Sequence, residues 1–270
     1  MHCKSWILAN PIAHRGLHDR EMPENSIPAF EAAIEKGISI ELDVQLTRDR
    51  ELVVFHDDNL QRMTGLNKNI WKLSFAELER LCLKHTNLRI PTFREVLDLI
   101  GGRVPLLVEI KKHRGKPEPQ VVEMLHGYPG EYAIQAFNPV VLQHVRKLDP
   151  SIYCGLLSSK FEHEKIMRIK KAGIRNARLF FMAKPDFLSF EINSFPNRRI
   201  AGFRKELGLP VLGWTIKTGE DIDKALKFCD NIIFENLTAL EESVASSIRS
   251  IGEWFQAERR ETGETEQAAL

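Results

Sequence analysis

Short apolar runs rich in β-branched residues alternate with amphipathic stretches along most of this chain, and that alternation restricts the fold more than any other feature. Runs at 11–14, 38–44, 104–110, 132–136, 152–157, 178–182, 210–216 and 231–234 have the length and composition of buried strands. Helical patterns lie between most of them. Ser26 to Lys36 sets Ile27, Phe30 and Ile34 on one face and stops at Gly37. Asn138-Pro139 places an N-cap and a first-turn proline before a helix that runs toward Leu148. Eight strand–helix alternations predict an α/β fold, a (β/α)8 TIM barrel, with an open doubly wound sheet as its rival. At 270 residues and 43% hydrophobic the chain can fill one such core, so residues 1–250 form a single domain in this reading.

One segment interrupts the pattern. Asp43 is followed by Arg48-Asp49-Arg50 and then by another strand-like run, Glu51 to His56. The gap is too short for a parallel crossover and predicts a hairpin. If Asp49-Arg50 is a two-residue turn, Asp43 lies directly across from His56, although such turns favour glycine where Arg50 sits. The excursion continues to about Arg103, with a helix expected near Ser74 to Lys84 and a capping box at Thr92 and Glu95. It reads as an insertion, at about 57–103, in a barrel loop, where it can serve as a lid. Residues 251–270 read as a charged tail.

Net charge is +1, which excludes the strong field expected of a nucleic-acid binder or of stable membrane association. The short apolar patch Trp6 to Ala9 is too brief for a secretory signal, and no run approaches the length of a membrane span. Cys3, Cys82, Cys154 and Cys229 show no paired spacing and read as reduced, mostly buried thiols. A cytoplasmic location is expected. Any anionic substrate must then be caught by a local cluster.

Three clusters stand out. In Ile38 to Val44, alternation points Ser39, Glu41 and Asp43 one way and the aliphatic residues the other. Two acids on an inward face repel unless a cation or proton separates them, which suits an oxygen-liganding ion such as Mg²⁺ or Ca²⁺. A half-exposed edge strand with solvated acids explains the same alternation about as well. Glu109 ends the apolar run Leu106 to Ile110, with Lys111 on its face; a metal ligand and a phosphate contact are one reading, a strand-end salt bridge the commoner one. His14-Arg15-Gly16 follows the first strand. It joins a proton carrier, a bidentate phosphate donor and a residue that lets the backbone approach a ligand. His56 is a second candidate proton carrier. Gln135, Phe137 and Trp214 are candidates for the barrel mouth and the apolar part of a substrate, although core packing explains both aromatics equally well.

Taken in order, these motifs resemble the glycerophosphodiester phosphodiesterases. The likeness rests on His14-Arg15-Gly16, then Pro23-Glu24-Asn25-Ser26 with Phe30 and Gly37, then Glu41-Leu42-Asp43-Val44 and His56-Asp57. It continues through Ile90-Pro91-Thr92, Glu109-Ile110-Lys111 and Gly213-Trp214-Thr215, to about Leu240. The resemblance implies a TIM barrel with a small insertion after the second strand. It implies hydrolysis of glycerophosphodiesters, small-molecule substrates, to glycerol 3-phosphate and an alcohol. Glu41, Asp43 and Glu109 would hold one divalent ion, Mg²⁺ or Ca²⁺, with His14 and His56 as acid and base and Arg15 and Lys111 on the phosphate. In related phospholipase-like barrels the substrate's own hydroxyl attacks phosphorus, which implies a cyclic phosphate here too. Two departures stand in this chain: Arg50 where the hairpin glycine is usual, and Phe234-Glu235-Asn236 where the family commonly has Thr-Asp before a proline. A lysophospholipase D-like activity from the same site would require membrane affinity, for which Phe187, Leu188 and Phe190 are modest candidates. A non-catalytic binding protein would be expected to have lost a histidine or a metal acid, and none is lost.

Overall fold

A computed structural model of the chain describes residues 3–111, 115–159 and 183–235. Eight parallel strands close on themselves: β1 (Ile12–His14), β2 (Ser39–Leu46), β4 (Leu106–Ile110), β5 (Tyr132–Ala136), β6 (Cys154–Ser158), β7 (Phe187–Glu191), β8 (Val211–Ile216) and β9 (Asn231–Phe234). β1 pairs with both β2 and β9, so the eight parallel strands form a closed ring and the open-sheet alternative is excluded. β3 (Leu52–Val54) is antiparallel to β2 and pairs with it beyond the end of β1. The expected strand at 178–182 lies outside the described residues; the barrel strand that pairs with β6 is β7. Phe187, Leu188 and Phe190, considered above for a membrane surface, are therefore buried barrel residues. No helix among the described residues is long and apolar enough to cross a membrane. The charged tail at 251–270 lies outside the described residues.

The strands obey a single inside–outside rule. All eight positions of β2 are buried, which excludes the solvated-edge explanation of its acids. Ile40, Leu42, Val44 and Leu46 face the main core beneath the helices, together with Leu106, Val108, Ile134, Leu188, Val211 and Ile232. The alternate positions face the barrel axis. Lower in the barrel these are apolar: Ile12, Leu107, Ala133, Phe187, Leu212 and Ile233 pack together. Trp6 and Ile7 of α1 (Cys3–Ala9) pack into the same cluster, giving the sequence's isolated N-terminal apolar patch its place. The buried Asn231 amide donates to the carbonyls of Ile7 and Asn10, at 2.8 and 2.7 Å, and ties that helix to β9. Nearer the C-terminal ends the inward positions turn polar, with Glu41, Asp43, Glu109, Gln135 and Ser189 all buried. A TIM barrel builds its chemistry at that end.

The connecting helices are α2 (Ile27–Glu35), α5 (Phe93–Ile100), α6 (Glu118–His126), α7 (Pro139–Leu148), α8 (Arg198–Leu207) and α9 (Gly219–Phe228). Their starts follow local chemistry. Asn138 Oδ1 accepts from the Val140 N–H at 3.1 Å, and Thr92 and Glu95 form the expected capping box. Ser74 and Glu77 also form one, but the helix they begin, α4 (Phe75–Leu78), is a single turn and stops well short of Lys84. A separate apolar cluster from Val53 to Ile90, including Leu60, Met63, Ile70 and Leu78, holds the excursion together. α5 contributes Phe93, Val96, Leu97 and Ile100 to the main core instead. Cys154 and Cys229 are buried, and Cys82 is exposed.

Gly155 shows how closely the axis is filled. A Cβ there would lie 2.1 Å from the Phe187 ring, which stacks on Tyr153 with centroids 5.4 Å apart. Gly155→Ala is expected to destabilise the protein by about 1–3 kcal/mol through overpacking. Urea unfolding measures this, and an unchanged midpoint would contradict the packing described.

Candidate active site

The hairpin brings the first correction in the site. Residues 44, 45 and 46 pair with 54, 53 and 52, and the Phe55 N–H donates to the Asp43 carbonyl at 2.9 Å. Phe55, not His56, thus lies opposite Asp43. The cause is a three-residue loop, Arg48-Asp49-Arg50, in place of a two-residue turn. Arg50 takes the left-handed position (φ 69°) that glycine usually fills, at about 1 kcal/mol of strain. Its guanidinium donates to the Gly115 carbonyl at 3.0 Å and its own carbonyl accepts from Gln120 at 3.2 Å, contacts that hold the loop. His56 follows directly after β3, and a positive charge on its imidazole would favour the charged forms of Asp43 and Glu109.

Adjacent strands set the acids side by side. Asp43 is in register with Glu109 and Glu109 with Gln135, while Glu41 is in register with His14. One oxygen from each of Glu41, Asp43 and Glu109 lies within 4.8 Å of the others. Lys111 Nζ is 2.7 Å from Glu109 and 3.3 Å from Asp43, and Arg15 Nε is 3.2 Å from Asp43 Oδ2. Asn25 Nδ2 donates to Asp43 Oδ2 at 2.9 Å, and the Arg15 N–H donates to Glu41 at 3.1 Å. Arg15 and Asn25 both hold left-handed backbone, φ 60° and 57°, strain of the kind that gathers at functional sites. Their loop is closed by the Asn25 N–H donating to the Arg15 carbonyl at 3.0 Å.

Three acids face two permanent cations here, and the imbalance is visible in their proton affinities. Burial pushes the Glu41 carboxyl well up, and the charges of Asp43 and Glu109 add to the effect. Burial would also raise Asp43, but Lys111 and Arg15 overcome it and hold Asp43 well below the carboxylate range. Glu109 is raised by burial against the pull of Lys111. Hard divalent ions bond oxygens at about 2.0–2.6 Å, so three carboxylate oxygens this close can share one. Among the described residues Asp43 Oδ1 is buried without a hydrogen bond, with the Lys111 ammonium as its neighbour. The all-oxygen, anionic donor set fits Mg²⁺ or Ca²⁺.

Both histidines rest on carboxylates through Nδ1. His14 Nδ1 lies 3.4 Å from Glu235 and His56 Nδ1 lies 2.7 Å from Asp57. A carboxylate only accepts, so in each neutral ring Nδ1 carries the proton and Nε2 the lone pair. His14 Nε2 lies 4.0 Å from Glu41. Burial lowers the His14 imidazole to about 4, opposed by its Glu235 hydrogen bond and reinforced by the Arg15 charge. Gln135 is buried beside Glu41: Ser189 Oγ donates to its Oε1 at 2.8 Å, and its Nε2 donates to Glu41 at 3.3 Å. Phe137 and Trp214 meet edge to face, centroids 5.7 Å apart, just past the end of β5 and on β8. The Trp214 N–H is buried without a hydrogen-bond partner among the described residues.

Over residues 14–236 the chain matches the family model of the glycerophosphoryl diester phosphodiesterase family. The chain belongs to that family. It is by that membership a phosphodiesterase, and relatives of the family bear this out. A glycerophosphodiester phosphodiesterase of Caldanaerobacter subterraneus is 31% identical over 231 residues, 80% of this chain and 89% of the relative. A phosphodiesterase of Oleispira antarctica, solved with the product sn-glycerol-3-phosphate, superimposes with a TM-score of 0.73 at 25% identity, covering 87% of this chain and 96% of that one. A rat lysophospholipase D is 32% identical over 142 residues, 48% of this chain and 45% of the relative.

Three residues of the phosphodiesterase site had no assigned role in the sequence reading. Glu235 also meets His18 at 3.4 Å and Lys217 at 2.9 Å. Asn25 orients Asp43, a function that the Pro23-Glu24-Asn25-Ser26 motif signalled without explaining. Arg62 contacts Glu24 and Asp57, which hold Arg15 and His56. Nothing in its local pattern marked it.

Proposed function

We propose that this chain hydrolyses glycerophosphodiesters to glycerol 3-phosphate and an alcohol, with one divalent ion, Mg²⁺ or Ca²⁺, at Glu41, Asp43 and Glu109. The observation that carries this reading is the convergence at one barrel end of three buried acids, two cations and two carboxylate-held imidazoles. The product bound to the Oleispira antarctica relative supports glycerol 3-phosphate as the product here.

A phosphodiester carries one negative charge, and more develops on its oxygens as the nucleophile adds. When bound, the ion supplies Lewis-acid stabilisation of that growing charge. Arg15 offers a planar fork to the same oxygens, and Lys111 a compact charge. Glu24 and Asp43 fix the Arg15 fork, while Asp43 and Glu109 fix Lys111. One imidazole takes the proton of the attacking hydroxyl at Nε2, and the other delivers a proton to the leaving alkoxide. The glycerol hydroxyl next to the phosphoester is the nucleophile in this route, giving a cyclic phosphate that water then opens. Phe137 and Trp214 flank the apolar part of the substrate.

The test is release of glycerol 3-phosphate from glycerophosphocholine and glycerophosphoethanolamine, beside product release from lysophosphatidylcholine. The expected result is turnover of the deacylated diesters at least ~10-fold faster than of the lysolipid, a difference of about 1.4 kcal/mol in the barrier. A preference for the lysolipid would replace this reading with a lysophospholipase D activity. Tight binding of the diesters without turnover would replace it with a binding protein.

A further inference from the structure

The excursion after β3 has its own small core, yet one of its side chains touches the partners of two site residues on different elements. Arg62 lies on α3 (Gln61–Thr64), a single turn. Its Nη1 and Nη2 donate to the two oxygens of Glu24, at 2.7 and 2.6 Å. Its Nε and Nη2 donate to the two oxygens of Asp57, at 2.6 and 3.0 Å. Each carboxylate then continues inward: Glu24 Oε1 accepts from Arg15 Nη1 at 2.7 Å, and Asp57 Oδ1 faces His56 Nδ1 at 2.7 Å. One guanidinium thus occupies two forks. A lysine has the charge but cannot fill both in fixed geometry.

The environment separates this from an ordinary surface pair. The Glu24 side chain is only 8% exposed, although Arg62 itself is 45% exposed. Burial alone would raise the Glu24 carboxyl; the Arg62 hydrogen bonds, with the charge of Arg15, hold it down to about 2. Glu24 is therefore an anion wedged between two guanidiniums, and its position depends on both.

We infer that Arg62 is a positioning residue that sets Arg15 and His56 relative to one another through Glu24 and Asp57, making the insertion part of the catalytic apparatus. The inference rests on the phosphodiesterase reading above. It predicts a division of labour. Glu24→Gln, which loosens Arg15, should chiefly raise KM. Asp57→Asn, which loosens His56, should chiefly lower kcat. Arg62→Ala should do both.

The experiment measures kcat and KM for glycerophosphocholine in the full chain for Arg62→Ala, Arg62→Lys, Glu24→Gln and Asp57→Asn. Leu78→Ala serves as the control, since it destabilises the insertion core without touching the clamp. Arg62→Ala is expected to lose about 10–100-fold in kcat/KM, the range found when groups supporting a site are removed. Arg62→Lys should recover part of the loss, and Leu78→Ala should keep its rate below its own melting temperature. Arg62→Ala activity within about twofold of wild type would overturn the inference, as would an equal loss in Leu78→Ala. Wild-type protein without turnover would sink the phosphodiesterase reading itself. The clamp is then decided by calorimetric binding of glycerol 3-phosphate: roughly tenfold weaker in Arg62→Ala if it operates, unchanged if it does not.

Discussion

Asp43→Asn is expected to lower kcat/KM by roughly 10²–10⁴-fold, because a charge-stabilising ion contributes several kcal/mol to such a transition state and each ~1.4 kcal/mol is tenfold. The substitution keeps the shape and removes the charge. Asp43 is fully buried and lies at the centre of the cluster, 3.2 Å from Arg15 Nε, 3.3 Å from Lys111 Nζ and 2.9 Å from Asn25 Nδ2. An asparagine would therefore remove one of the proposed metal ligands and the anchor of Arg15 and Lys111, the proposed phosphate cations, at once. Steady-state kinetics at saturating Mg²⁺ or Ca²⁺, with metal content and melting temperature measured on the same sample, checks the effect. A folded variant within about tenfold of wild type would refute the placement of the metal. Glu109→Gln should be milder, since Lys111 keeps its contact with Asp43.

His14→Ala is the second large effect, a fall in kcat of roughly 10²–10⁴-fold with a smaller change in KM, as expected when a proton-transfer group is lost. The Glu235 partner gives the graded companion. Glu235→Gln retains an acceptor but not the charge that faces His14, His18 and Lys217, and should cost about 10-fold, within the range for groups that orient a functional histidine. Glu235→Asp, which keeps the charge on a shorter side chain, should cost less. A His14→Ala variant with full rate would remove the histidine from the mechanism, whatever Glu235 does.

What could be read from the amino-acid order was whatever alternates locally. Glu41, Asp43 and Glu109 were visible because a strand with period two must put them on one face, and a closed barrel turns that face inward. Strand β7 was missed because an apolar run does not declare its own structure: the run at 178–182 is as apolar as Phe187 to Phe190, and only pairing with β6 identifies the latter as the barrel strand. The hairpin register slipped by one residue because Arg50 adopts a left-handed conformation that glycine would have advertised. Long-range partners had no local signal. Glu235 is 221 residues from His14 and becomes its neighbour only because β9 closes against β1. Arg62 is 38 residues from Glu24, and its contact requires the insertion to fold back over the first loop. Motif residues such as Glu24 and Asn25 were noticed as a pattern, while their purpose, holding Arg15 and Asp43, emerged only from geometry.

In the proposed reaction the buried acids work through a divalent ion. Titrating chelator-stripped protein with Mg²⁺ or Ca²⁺, while following glycerol 3-phosphate release from glycerophosphocholine, tests it most directly. The expected result is no release before the ion is added, a rise to a plateau as about one ion per chain binds, and no such rise for Glu41→Gln. Full release in excess chelator, or a plateau unaffected by Glu41→Gln, would contradict it.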